Sequence, residues 1–210
     1  NLNNGSLLGY SVDQGSLDAL ADNKQLIQAD GGQIILTAKA ADTLSTAVVN
    51  NTGIIQARTV QNVGGVIKLM GDMDIGTVNV GGTLDASAQN GDGGFIETSA
   101  AHVKVQDGAQ VTTASAYGQS GNWLIDPYDF TIAATGGDIT GAALGTALGS
   151  GSVTITTLAG SVACTGATCG TGNPAGNGDI FVNDTVAWSA NTLTLNAYRN
   201  IDFNAQLDAT

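Results

Sequence analysis

The 210 residues include 30 Gly, only 2 Pro and 11% charged residues, and the net charge is -12. That charge comes from 17 Asp and one Glu set against four Lys and two Arg, so the chain repels phosphate backbones and nucleic acid is not an expected partner. No run of about 18 apolar residues occurs, which excludes a bilayer-spanning helix in this sequence.

Hydrophobic residues make up 42%, dominated by Val, Ile, Leu and Ala, with Thr, Asn, Ser and Gln as the polar half. This mixture favours strands and turns over surface helices, and the preference for Asp over Glu points the same way. The chain opens at Asn1 without a Met or a basic segment leading into an apolar signal core, so it reads as an internal or processed piece of a longer protein.

In chain order, residues 15–22 are the one stretch compatible with a short helix. From there a repeat takes over. Leu26-Ile27-Gln28-Ala29, Ile54-Ile55-Gln56-Ala57, Leu84-Asp85-Ala86-Ser87 and Val111-Thr112-Thr113-Ala114 each follow a turn-like cluster, and their Ala residues 29, 57, 86 and 114 lie 28, 29 and 28 apart. A second landmark keeps the beat: Gly31-Gly32, Gly64-Gly65, Gly93-Gly94 and Gly121-Asn122 each open an alternating segment, with Ile34/Leu36, Ile67/Leu69 and Ile96/Thr98 at every second position. Val78/Val80 and Val103/Val105 form a later pair in their units. Period-two alternation means strands with one buried face.

Three short strands in a unit of about 28 residues cannot shelter their own inner faces, so successive units must stack. The fold class expected is all-β, a right-handed parallel β-helix with about three strands per coil, spanning 1–210 as one segment. Equivalent strands then lie about 4.8 Å apart, and seven or so coils make a rod about 35 Å long. Ile34, Ile67, Ile96 and Leu124 are the expected inner ladder. Lys68 and Glu97 fall at equivalent outward positions of adjacent coils, and the Gly pairs are expected to supply positive φ at corners. Pro127 should end a strand. Residues 134–178 are Gly/Ala/Thr-rich and less regular, looping out or forming irregular coils. Cys164 and Cys169 within them are expected to close a small local disulfide in a secreted chain, two free thiols being the alternative.

From Gly94 onward the sequence resembles the filamentous-haemagglutinin-like exoproteins of two-partner secretion systems. The resemblance rests on Gly94-Phe95-Ile96-Glu97-Thr98-Ser99, on Gly121-Asn122-Trp123-Leu124-Ile125-Asp126-Pro127 with Asp129-Phe130-Thr131-Ile132, and on Gly178-Asp179-Ile180-Phe181-Val182-Asn183, Trp188-Ser189-Ala190 and Leu193 to Ile201. It covers roughly residues 26–210, and the string Trp123, Leu124, Ile125, Asp126, Pro127 is its most specific part. What it implies is export through an outer-membrane transporter of the Omp85 class and display or release at a Gram-negative surface. Family functions include adhesion, haem acquisition and contact-dependent inhibition. The family's early Asn-rich secretion motifs are not evident in this chain, as befits an internal stalk.

A polysaccharide-degrading β-helix is the rival from another class, but it needs clustered carboxylates beside basic residues. Arg58 and Arg199 are coils apart, and His102 has no motif partner, so no catalytic residue is expected. Asp72/Asp74, Asp92 and Asp126/Asp129 read as turn formers, because the nine-residue Gly-Gly and Asp repeat of calcium coils is absent. No metal or cofactor site is assigned; one His and two Met make a poor haem site. The function expected is a non-catalytic shaft or interaction segment of a secreted surface adhesin, binding host or neighbouring cell surfaces, with end-to-end self-association through unpaired coil ends.

Overall fold

The computed structural model describes residues 8–12, 18–39, 47–61, 63–158 and 176–210. Four regular three-stranded coils come first. They comprise β1 (Leu8–Val12), β2 (Ala19–Asn23) and β3 (Leu26–Gln28); β4 (Gln33–Ala38), β5 (Ala47–Asn51) and β6 (Ile54–Gln56); β7 (Val66–Met70), β8 (Thr77–Val80) and β9 (Thr83–Asp85); and β10 (Phe95–Ser99), β11 (His102–Val105) and β12 (Gln110–Thr112). First, second and third strands of successive coils pair in parallel, giving three sheets that wrap one core, with about 29 residues per turn. The chain is a β-solenoid. The segment 19–23 is therefore strand, not helix: Ala19 and Asn23 face inward, and pairing with β5 overrides local helix propensity.

The first sheet continues through β13 (Asn122–Asp126), β15 (Ser152–Thr156) and β18 (Leu193–Asn196), making seven strands. In the second position a new sheet starts, formed by β14 (Phe130–Ile132), β16 (Ile180–Val182) and β19 (Ile201–Phe203). In the third position, helix α1 (Gly141–Leu148) packs against β12 on one side and β17 (Val186–Trp188) on the other, and β20 (Leu207–Ala209) pairs with β17. Within residues 134–158, helix α1 and β15, a full strand of the main sheet, are part of the solenoid. Thr140 caps α1, its hydroxyl accepting from the Ala143 amide at 3.2 Å, while Leu144 and Leu148 sit one turn apart on the buried face. That i, i+4 pair after a Thr is the signal obscured by the Gly/Ala-rich composition.

The inner ladder runs Ile34, Ile67, Ile96, Trp123, Val153, Leu193. Leu124 does not belong to it. Its register partners are Glu97 and Thr154, on the outward face. Gly121 aligns with Gly94, the second glycine of the earlier pairs, so Ser120 replaces the first glycine and every later residue moves by one. A slip of one exchanges the faces of a strand. The same correction aligns Ala86 with Thr113 instead of Ala114. Trp123, which after a glycine corner reads from sequence as a cap or cover on a coil or as stacking on an outward residue, instead lies inside, 2% exposed. Its Nε1 donates to Thr98 Oγ1 at 3.1 Å, and Thr98 is the buried polar residue of the neighbouring inner column. A buried indole needs an acceptor, and this Thr supplies it.

Glycines at the first-sheet corner serve close approach. A Cβ on Gly65 would lie 1.5 Å from the Ala57 oxygen, on Gly94 2.2 Å from the Gly65 oxygen, and on Gly121 1.9 Å from the Gly94 oxygen. Of the Gly landmarks at this corner, Gly31 alone has a positive φ, at 69°. The expected left-handed corners are mostly replaced by backbone stacking.

Candidate functional site

Strand β13, which carries Trp123 to Asp126, is where the sequence motif meets polar chemistry. Trp123 and Ile125 point inward, and Asn122, Leu124 and Asp126 outward. Beside them on the outer face, Lys68 Nζ meets Glu97 Oε2 at 2.7 Å, which matches the register read from sequence, and lies 5.8 Å from the Phe95 ring centre. Ser99 Oγ donates to Glu97 Oε1 at 3.1 Å.

Asp126 is the register partner of Ser99 and closes the strand before the buried Pro127. Its Oδ1 is shielded from solvent and has no hydrogen-bond partner among the described residues. Burial first, and the charge of Glu97 second, push this carboxyl above the ordinary Asp range. The Asp126 carbonyl accepts from the Ala100 amide at 3.3 Å, and the Pro127 carbonyl from the Leu158 amide at 3.2 Å. The unpartnered oxygen could not be read from the string itself, because it depends on which coil covers the residue.

The other sequence-derived candidates are spread out. His102 is exposed on β11 opposite Thr77. Asp72 Oδ1 takes the Asp74 amide, Asp92 Oδ1 takes the Gln119 amide, and Asp129 Oδ1 gathers the amides of Asn177, Gly178 and Asp179, all at 2.8 Å. These carboxylates do turn and corner work. No group of three or more His, Cys, Asp or Glu among the described residues is placed to hold a metal ion. Arg58 is taken by Asp30 and Arg199 by Asp179, whose carboxyl it holds below the usual value. Cys164 and Cys169 lie outside the described residues.

Among the described residues, two open surface hollows stand out. One, of about 460 Å³, lies between Val105–Asp107 and the 133–140 segment; its carboxylates are engaged, Asp107 with the Thr140 hydroxyl and Asp138 with Lys104. The other, of about 430 Å³, runs along the glycine corner past Val66, Phe95, Asn122 and Ser152 and contains no titratable side chain. No described helix is long and apolar enough to cross a membrane. No protein-family model, curated protein or solved structure matches the chain.

Proposed function

We propose that this chain is a shaft or interaction segment of a large secreted bacterial surface adhesin, non-catalytic toward external substrates and exported through an Omp85-class partner. The observation that carries the reading is the in-register continuation of one sheet through seven strands, from β1 to β18. A structure whose third sheet repeats at Ile27, Ile55, Leu84 and Val111 is built to add length. The scattered carboxylates, of which Asp30, Asp72, Asp92, Asp129, Asp138 and Asp179 are engaged by neighbouring amides or cations, favour this reading over a polysaccharide-cleaving solenoid.

Deleting residues 56–84 joins Ile55 to Asp85, the register partner of Gln56, and removes one coil. The expected product is folded, shorter by about 4.8 Å, and still displayed when carried within a secreted adhesin. Polyuronides and host glycans should remain intact in the presence of the whole chain. Loss of folding on coil removal, or glycan turnover, would refute the shaft.

A further inference from the structure

We propose that this chain cuts itself at the Asp126–Pro127 bond, with the Asp126 carboxyl group as the nucleophile. It is the sole Asp-Pro pair in the sequence. Three features of its setting carry the inference. The Asp126 Oδ1 is buried, and no donor among the described residues engages it. Native structures seldom leave such an atom without a role. The carbonyl it would attack belongs to the same residue and accepts a hydrogen bond from the Ala100 amide, a donor already aimed at the oxygen on which negative charge develops. The leaving nitrogen belongs to Pro127, a tertiary amide with no N–H of its own and a basic secondary amine once released.

The step balances without an oxidant or reductant. Oδ1 bonds to the main-chain carbon of Asp126, forming a five-membered cyclic anhydride. The bond from that carbon to the Pro127 nitrogen breaks, and the carboxyl proton passes to that nitrogen. Water then opens the anhydride, leaving Asp126 as one new carboxyl terminus and Pro127 as one new amino terminus. The surroundings favour the protonated acid that supplies the proton: the carboxyl is half-buried and Glu97 stands beside it. Glu97 is itself held by Lys68 on β7, β15 brings no titratable side chain from the other side, and Tyr128 and Asp129 follow on the same segment.

The cut would fall between β13 and β14, so fragments 1–126 and 127–210 stay together by strand pairing until denatured. Asp-Pro bonds have intrinsic acid lability, so the test compares settings. The purified chain is incubated over a series of mildly acidic pH values beside the urea-unfolded chain and a synthetic peptide of residues 120–134. The folded chain should yield the two fragments several-fold faster than either control, their summed mass exceeding that of the chain by one water. Asp126→Asn and Asp126→Glu should stop the reaction, and Pro127→Ala should slow it. Glu97→Gln, a positioning change, should move the midpoint of the pH–rate profile downward while the cut stays at the same bond. A folded chain that cleaves no faster than the peptide overturns the proposal, and so does equal cleavage of the Asp126→Asn variant. Should that variant not fold, the folded-against-unfolded comparison and Pro127→Ala still decide.

Discussion

Trp123 shows how one residue can be legible in identity and illegible in role. A large ring after a glycine corner reads as a cap or cover on a coil, whereas the structure buries it beside Thr98. Trp123→Ala should lower stability by about 3–5 kcal/mol in urea denaturation, as expected for a fully buried aromatic. Trp123→Phe removes the indole donor and leaves the Thr98 hydroxyl only its 3.4 Å bond to the Leu124 carbonyl, so the losses from Trp123→Phe and Thr98→Val should be less than additive; strict additivity of the two substitutions would contradict the contact. Asp30 supplies a pH test. Burial raises its pKa, but the Arg58 guanidinium and amide and the Gln28 and Gln56 side chains outweigh that and hold it at about 2, below the ordinary 3.8. With the folded value depressed, its stabilisation is present above about 3.8 and lost as pH falls through about 2. Because Arg58 is 48% exposed, the contribution should stay under about 1 kcal/mol. An NMR titration should place the Asp30 midpoint near 2, and Arg58→Ala should move it up toward 3.8.

Strands and corners were the most readable level. Alternation located Ile34/Leu36, Ile67/Leu69, Ile96/Thr98 and Val78/Val80 on the buried face, where they lie. The error at Leu124 came from aligning Gly121 with the first glycine of each pair. Backbone contact, not turn conformation, decides the match, and contacts between coils are invisible in a single strand. The corner makes a sharp contrast possible. Gly94→Ala drives a Cβ to 2.2 Å from a main-chain oxygen, while a Cβ on Gly64 meets nothing within 4 Å. Thermal unfolding should show Gly94→Ala destabilised by about 1–3 kcal/mol and Gly64→Ala near neutral. Similar effects at both sites would mean that the close stacking of Gly65, Gly94 and Gly121 is unimportant.

At the level of the whole molecule, the last described coil is less buried than the coils before it. Leu193, Leu195, Ile201 and Leu207 form the last core layer and are only partly buried, and Phe203 on the same strand as Ile201 is 58% exposed. Among the described residues, strands β18, β19 and β20 also have a strand partner on one side only. Purified chain should therefore self-associate reversibly in analytical ultracentrifugation, more strongly as salt screens the net charge of -12. Leu195→Lys with Ile201→Lys should suppress association. A chain that stays monomeric at all concentrations, with or without salt, would show that this partly buried layer does not recruit a second copy.

The sequence by itself determined the architecture: a repeat of about 28 residues, alternating apolar positions and too few charges to cover independent domains leave stacked parallel coils as the way to bury the inner faces. The Lys68–Glu97 register followed from the same arithmetic, because both residues sit a fixed distance after a double glycine. Only the tertiary structure decided that Trp123 joins the inner ladder, that α1 replaces a strand in the fifth coil, and that one oxygen of Asp126 lies buried without a partner. Each of these depends on what the neighbouring coil places above or below a residue, and that is set by packing between segments 25 to 40 positions apart, beyond the reach of local pattern.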